Sequence, residues 1–171
     1  DKLVGPHKQK QFQTTNIHKI LEHCRTLISA EIGGAYFITH DYDPSLPEIK
    51  ADEEQLTQAI INIVRNSAQA LSEAITANPV ILFSTRAIRK HDPETGLVTS
   101  AIRLRIEDNG PGIPEDIKDR IFFPMVSGRA QGSGIGLSIT QTIVSRHHGW
   151  IEINSKPGHT AVDVILPFGD I

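Results

Sequence analysis

The chain has 171 residues, of which 39% are apolar and 22% charged, and its 17 basic and 20 acidic residues give a formal net charge of −3. These values are typical of one globular domain, and no basic block is present to follow a nucleic-acid backbone. No apolar run is long enough to cross a bilayer, and the N-terminal DKLVGPHKQK lacks the apolar core of a signal peptide. Cys24 is the single cysteine, which excludes an internal disulfide. We therefore expect a cytoplasmic protein that binds neither nucleic acid nor membrane.

Residues 1–14 are polar and include a Gly-Pro pair, which indicates a linker, and residues 15–171 are expected to form one domain. Apolar periodicity and turn residues divide that domain into helices and strands. In chain order, the predicted elements are a helix over Thr15–Ala30, a strand over Tyr36–Tyr42, a helix from Asp52 to about Ile75, strands over Val80–Ile88 and Leu97–Ile106, a short helix around Glu115–Ile121, a helix over Gly136–His147, and strands over Ile151–Asn154 and Ala161–Leu166. This order favours an α+β fold: a two-layer α/β sandwich with helices on one face of a mixed, mostly antiparallel sheet.

Asn62 and Asn66 lie four residues apart in the long predicted helix, so both amides project from one face. Asparagine is a mediocre helix former, and a buried amide needs hydrogen-bond partners. A structural hydrogen bond to a loop explains an isolated pair of this kind. The alternative is a neutral oxygen offered to Mg²⁺, which prefers oxygen ligands and shares its shell with water and nucleotide phosphates.

Glycines alternate over Gly132–Gly136, directly before the last predicted helix. Such a backbone lets successive amides point at one anion, and the helix N-terminus adds a partial positive charge. The segment follows no strand and contains no lysine, so it is neither a dinucleotide fingerprint nor a P-loop. It predicts either a phosphate cradle or a plain glycine-rich loop.

Asp108 ends a predicted strand, and Gly110 and Gly112 follow it in the sequence EDNGPGIP. A turn explains Asp108 and Gly110 but leaves Gly112 without a purpose. A buried carboxylate accepts a hydrogen bond from the exocyclic amine of adenine but would face the carbonyl of guanine, so such a site selects adenine. The two glycines would let the backbone lie against the ring.

Together these signals resemble the ATP-binding catalytic domain of bacterial two-component sensor histidine kinases, in the GHKL superfamily, over about residues 15–167. The motifs are an N box at Asn62–Asn66, a G1 box at Asp108–Gly112, an F box at Arg120–Pro124, a G2 box at Gly132–Leu137, and the late threonine Thr160. The stretches DYDPSLPE, NIVRNSAQAL, EDNGPGIP and FFPMVSGR resemble the NtrB nitrogen-regulation kinases. Phe123 and Met125 depart from the usual F box, and His159 stands where a glycine often precedes the threonine.

The resemblance implies that the domain binds ATP and Mg²⁺. It makes Asn66 the metal ligand and places Asn62 beside it as a second catalytic residue. Asp108 and Thr160 are expected at the adenine, and residues 113–131 are expected to form a lid. The other nucleotide contacts that it implies are Gly110, Gly112, Ile113, Lys118, Arg129, Gly132, Ser133, Gly134, Ile135, Gly136 and Leu137.

None of the eight histidines has the sequence context of the family's phosphoacceptor, which lies on a dimeric helical hairpin. His147 and His148 are instead expected to compensate the dipole of a helix C-terminus. The resemblance therefore implies transfer to a histidine on a separate dimerisation domain of the same protein, and relay to an NtrC-like response regulator. It also suggests a PII-type signal protein as a candidate regulator, and we expect the isolated domain to be a monomer.

Two other functions stay open at this point. One is a regulatory module in which nucleotide and PII binding favour phosphatase output, with little kinase chemistry. The other is an ATPase of the gyrase or chaperone type, but these enzymes typically carry a glutamate base where this chain has Asn62.

Overall fold

The computed structural model describes residues 12–33, 37–121 and 137–168. Its elements are strand β1 (Phe12–Thr15), helix α1 (Ile17–Ile32), strands β2 (Phe37–Asp41) and β3 (Ile49–Asp52), helix α2 (Glu53–Glu73), strands β4 (Val80–His91) and β5 (Val98–Asp108), a 3₁₀ turn (Lys118–Arg120), helix α3 (Ser138–Arg146), and strands β6 (Trp150–Lys156) and β7 (His159–Pro167). None of these helices combines the length and the apolarity that a bilayer crossing requires.

Five strands form the main sheet, in the order β2-β4-β5-β7-β6. The β2–β4 pair is parallel, and the other three pairs are antiparallel. The sheet is therefore mixed and mostly antiparallel, which confirms the predicted α+β sandwich.

Strands β1 and β3 form a separate antiparallel pair, in which Phe12 lies opposite Asp52. Neither strand was predicted, and β1 overlaps the stretch that we expected to be linker. Each strand has only four residues, which is too short for an alternating pattern to stand out. The short helix expected around Glu115–Ile121 is reduced to the 3₁₀ turn.

The core lies between the helices and one face of the sheet. Alternate residues of β4, β5 and β7 point towards the helices and are almost fully buried: Ile81, Phe83, Ile102, Leu104, Ile106, Val162, Val164 and Leu166. Helix α2 contributes the apolar stripe predicted from its sequence, Leu56, Ile60, Ile63, Val64 and Leu71, all at most 1% exposed. Burial of these stripes holds α2 firmly against the sheet.

Asp52 fixes the start of α2, because its carboxylate accepts a hydrogen bond from the Gln55 amide at 3.1 Å. The Asp52 amide itself donates to His147 Nε2 at 3.0 Å, across the junction with α3. His147 Nδ1 donates to the Ile143 carbonyl at 2.8 Å. Burial lowers the pKa of this imidazole, so His147 completes the end of α3 as a neutral hydrogen-bonding group rather than as the charge that we expected.

Each of the three helices in the described ranges ends at a residue with left-handed backbone. These residues are Gly33 (φ 62°), Ile75 (φ 51°) and His148 (φ 62°). After α2 the Thr76 amide donates to the Leu71 carbonyl and the Ile75 amide to the Ser72 carbonyl, both at 3.1 Å. This is the Schellman pattern, which usually places glycine at the left-handed position. Of these three helices, only α1 has glycine at that position.

The face of the main sheet turned away from the helices carries ion pairs between residues of different strands. Arg105 binds Asp163 through two hydrogen bonds of 2.7 and 2.9 Å. The other pairs are Arg86–Asp41 at 2.6 Å, Lys90–Glu152 at 2.9 Å and His159–Glu107 at 2.9 Å. We call this surface the outer face.

Candidate functional site

A cavity of about 290 Å³ lies between α2, the adjacent ends of β5 and β7, and the loop that follows β5. Its size is close to the lower end of small-molecule pockets. It is lined by Ile63, Asn66, Ser67, Ala70, Glu73, Ala74, Asp108, Pro111, Gly112, Ile113, Pro114, Leu137, Thr160 and Val162. The lining is mostly apolar, with a few convergent polar groups, as in sites that bind a ring system.

Helix α2 forms one wall through residues spaced three or four apart, which lie on one helical face. Asn66 belongs to this face and lines the cavity. Asn62 lies one turn earlier, is half-buried and does not line the cavity. Of the two predicted asparagines, the cavity wall includes Asn66 and not Asn62. The neighbouring lining residues Ser67, Ala70 and Ala74 were not predicted, although Ala70 and Ala74 follow Asn66 at helical spacing.

Asp108 and Thr160 form the polar end of the cavity. They are direct partners across β5 and β7, and each is nearly buried, at 6% and 7% exposure. Both point to the helix side of the sheet, because they continue the alternation of the core residues on their strands. The two polar residues predicted at the adenine are therefore brought together. The Asp108 carboxylate also accepts a hydrogen bond from the Gly110 amide at 2.9 Å.

Gly112 lines the cavity, but the close approach that it permits is to protein. Its φ is +86°, and a Cβ there would lie 2.8 Å from the Lys156 carbonyl oxygen. At Gly110 a Cβ would meet the Asp108 carboxylate at 2.9 Å. In this structure the two glycines let the loop after β5 pack against the β6–β7 turn and against Asp108, and their expected place against a ring stays a prediction. Gly110 itself does not line the cavity.

Asn109, between Asp108 and Gly110, has a structural role that the sequence analysis missed. Its side-chain oxygen accepts a hydrogen bond from the Val80 amide, and its side-chain nitrogen donates to the Asn78 carbonyl, both at 2.9 Å. These bonds join the end of β5 to the start of β4. The loop that lines the cavity is therefore fixed at its beginning.

Lys118 does not reach the cavity, although it was predicted as a phosphate contact. Its ammonium group pairs with Glu115 at 2.8 Å and donates to the Ser155 carbonyl at 3.0 Å. It thereby joins the 3₁₀ turn to β6.

Leu137 lines the cavity with its side chain, but its amide donates to the Ile121 carbonyl at 2.6 Å. That amide is engaged within the protein, although it was predicted in the phosphate cradle. The remaining predicted contacts, Arg129, Gly132, Ser133, Gly134, Ile135 and Gly136, lie outside the described residues.

Comparison with known proteins identifies the class of this fold and site. A family model described as histidine kinase-, DNA gyrase B-, and HSP90-like ATPase matches residues 51–170. The chain is 44% identical to the sensory histidine kinase/phosphatase NtrB of Vibrio alginolyticus and 42% identical to that of Escherichia coli O157:H7, each over 98% of this chain and 47% of the relative. The catalytic domain of histidine kinase ThkA, in a nucleotide-free form, has the same fold, with a TM-score of 0.73, at 24% identity over 92% of this chain and 95% of that one.

The chain belongs to the family of histidine kinase-, DNA gyrase B- and HSP90-like ATPases. Its identity to the NtrB sensory histidine kinases over nearly all of its residues confirms the predicted resemblance to that group. The chain spans about half the length of these curated relatives.

Proposed function

We propose that this chain is the ATP-binding catalytic domain of an NtrB-type protein-histidine kinase, and that it presents the γ-phosphate of ATP to a histidine on a separate dimerisation domain. One observation carries the proposal: Asp108 and Thr160 meet at the end of a mostly apolar cavity that Asn66 also lines. This arrangement suits a flat base at one end and a charged, metal-bound chain of phosphates at the other.

Adenine fits the polar end because its exocyclic amine donates a hydrogen bond where guanine offers an oxygen. The Asp108 carboxylate accepts such a bond and would be left facing a second acceptor if guanine entered. The apolar lining residues of α2 and of the loop after β5 would pack against the ring.

The metal requirement also matches the residues present. Mg²⁺ would offset phosphate charge when bound, and it needs few protein ligands because water and phosphate oxygens supply the rest. Asn66, whose amide carries a neutral oxygen, lines the cavity. Within the described part of the chain, no group of three or more His, Cys, Asp or Glu residues could hold a metal by itself, so the metal would enter together with the nucleotide.

Phosphoryl transfer depends mainly on alignment and charge stabilisation, so the task of this domain is to hold the phosphates in line with an incoming histidine. Asn62, one turn from Asn66, and the residues from Arg129 to Gly136 are proposed to act at the phosphates. The acceptor is proposed to lie on the dimerisation domain, and a response regulator of the NtrC type would then take the phosphoryl group.

Residues 1–14 would form the linker to the acceptor hairpin. A cytoplasmic location and a role in nitrogen regulation, with PII as a regulator, complete the proposal.

A regulatory module with phosphatase-biased output stays the second candidate, because the NtrB relatives are named kinase/phosphatases. The two candidates differ in chemistry. Adding a separately purified NtrB-type acceptor hairpin and Mg-ATP produces phosphohistidine if this domain is a kinase, and none if it only binds nucleotide.

Titration of ATP with and without Mg²⁺ tests the proposed site. We expect binding by the wild-type chain to strengthen with Mg²⁺, and Asn66→Ala to lose most of that gain while the fold is retained. Asn154→Ala is the matched control, since it removes an exposed amide on β6 that does not line the cavity. Equal gain from Mg²⁺ in wild type and Asn66→Ala would remove the metal assignment, and absence of ATP binding by the wild type would overturn the proposed function.

A further inference from the structure

Ser155, Thr160 and Asp108 form one row across three strands. Thr160 lies directly opposite Asp108 on β5 and directly opposite Ser155 on β6. All three side chains point to the helix side of the sheet, and two of them line the cavity. Ser155 is the third member, which lies behind Thr160 as seen from Asp108.

The hydroxyls of Ser155 and Thr160 are hydrogen-bonded to each other, with 2.7 Å between Oγ and Oγ1. Ser155 Oγ also accepts a hydrogen bond from the Ile113 amide at 2.8 Å. A hydroxyl that accepts a hydrogen bond becomes a better donor, so chains of such bonds strengthen when they run in one direction. The favoured direction here runs from the Ile113 amide to Ser155, and from the Ser155 hydroxyl to Thr160.

We propose that Ser155 is a positioning residue that sets the hydrogen-bond polarity of Thr160. When the Ser155 hydroxyl donates to Thr160 Oγ1, the hydroxyl hydrogen of Thr160 is left to point towards the ligand. Thr160 then presents a donor beside the acceptor of Asp108. This inference rests on the proposed adenine site and assigns a role to a residue that does not line the cavity.

A fixed donor next to a fixed acceptor matches adenine and mismatches guanine. Adenine presents an amine donor next to a ring-nitrogen acceptor on one edge. Guanine presents the reverse on the same edge, a carbonyl acceptor next to a ring N–H donor. A threonine hydroxyl that could turn freely would satisfy either edge. By holding that hydroxyl in one direction, Ser155 would add to the discrimination that Asp108 provides.

A structural role for Ser155 is the competing explanation, because it also helps to attach the loop after β5 to the β6–β7 turn. That attachment has other bonds. The Gly158 amide donates to the Gly110 carbonyl at 2.9 Å. Lys118 donates to the backbone carbonyl of Ser155, and that bond does not involve the Ser155 side chain. A purely structural effect would therefore weaken all nucleotides alike and would not depend on the Thr160 hydroxyl.

Calorimetric titration of ATP and GTP separates these roles in the full 171-residue chain. We expect Ser155→Ala to bind ATP about three- to tenfold more weakly, which is the effect of losing one hydrogen bond. The affinity for GTP should change less. The ratio of the affinity for ATP to the affinity for GTP should therefore decrease. Ser155→Thr retains the hydroxyl and should restore the wild-type ratio. Thr57→Ala is the control, because it removes a hydroxyl bonded to the Glu53 carbonyl on α2, away from the cavity.

A double-mutant cycle completes the test. In a Thr160→Val background, Ser155→Ala should change ATP affinity little, because the hydroxyl that it positions is absent. An equal loss in both backgrounds, or an unchanged ATP-to-GTP ratio in Ser155→Ala, would overturn the inference while leaving the ATP site intact. If the wild type itself binds ATP and GTP equally, the base-reading role of Asp108 fails instead, and the inference fails with it.

Discussion

Asp108 and Glu107 are neighbouring carboxylates that strand β5 directs to opposite faces of the sheet. Asp108 lies at the end of the cavity, whereas Glu107 accepts a hydrogen bond from His159 on the outer face. The pair gives a test of base recognition at the scale of single residues, because each carboxylate can be replaced by its amide.

We expect Asp108→Asn to weaken ATP binding by more than about tenfold, because the charged acceptor for the adenine amine is lost. The fold should persist, since the asparagine oxygen can still accept a hydrogen bond from the Gly110 amide. Titration with ATP measures the change, and Glu107→Gln serves as control with near wild-type affinity. Comparable affinities for both variants would mean that Asp108 does not read the base.

The sequence identifies cavity residues when a local pattern marks them. Asp108 stands at a strand end before closely spaced glycines, and Asn66 is a polar residue in an apolar helix. Ser155 has no such mark, because its role depends on the register between β6 and β7 and on a contact with Ile113, 42 residues earlier. Asn109 resembles a simple turn residue until its bonds to β4 are seen.

At the scale of elements, Ile75 ends α2 in a backbone conformation that is unfavourable for a β-branched residue. Its side chain is 88% exposed, so it contributes little packing to offset that strain. The helix nevertheless ends there, because the Schellman hydrogen bonds close it.

Ile75→Gly should therefore stabilise the domain by roughly 1 kcal/mol, the left-handed penalty minus the entropy that glycine gains in the unfolded chain. For a domain of this size, such a gain raises Tm by about 2–4 °C. Thermal unfolding measures it. Gly33→Ala, at the end of α1, is the reciprocal variant and should lower Tm. A decrease in Ile75→Gly would show that the Ile75 side chain stabilises the fold despite its exposure.

The loop after β5 gives a second prediction for an element. Gly112→Ala combines positive φ with a clash against the Lys156 carbonyl, whereas Gly158 has positive φ (+91°) but no atom within 4 Å of the place that a Cβ would take. We expect Gly158→Ala to cost about 1–2 kcal/mol from backbone strain, and Gly112→Ala to cost more and to weaken nucleotide binding. Urea denaturation and ATP titration of both variants check this. Equal effects would mean that the loop moves away from β6 at little cost.

Helices and long strands could be predicted because their periodicity extends over many residues, and the layered arrangement followed from their order along the chain. The β1–β3 pair could not be predicted, since each of its strands is short and the pair is stabilised by contact with a distant segment of the chain. Phe12 shows this dependence, because its ring packs against the ring of His147, far along the chain, with 4.6 Å between the ring centroids.

At the scale of the whole molecule, His147 connects α3 to the start of α2 and makes stability depend on pH. Its neutral ring accepts a hydrogen bond from the Asp52 amide, and burial lowers its pKa below the ordinary 6.5. The unfolded chain therefore binds a proton more readily than the folded one. The stabilisation is fully present above about pH 6.5 and is lost as the pH falls through the lower pKa of the folded state.

We expect the free energy of unfolding to decrease below pH 6.5, the ordinary value for this imidazole, with a slope from His147 of at most about 1.4 kcal/mol per pH unit. His147→Gln retains a polar side chain without a titrating ring, so its stability should fall less steeply over the same range. Urea denaturation at several pH values measures both slopes. Identical slopes would assign the pH dependence to other groups, of which His18 is one, since burial lowers its pKa as well.

The ion pairs on the outer face have a consequence for how copies of this chain meet one another. Each exposed pair adds little to folding, roughly 0–1 kcal/mol. A sheet face that no described helix covers would nevertheless be open to stacking against the same face of a second molecule. Such stacking would remove water from Arg86, Lys90 and their acidic partners without supplying new hydrogen-bonding groups in its place. It is therefore disfavoured. Because concentrated salt screens the attraction within each pair but leaves the groups hydrated, we expect the isolated chain to stay dispersed in salt as well as in dilute buffer.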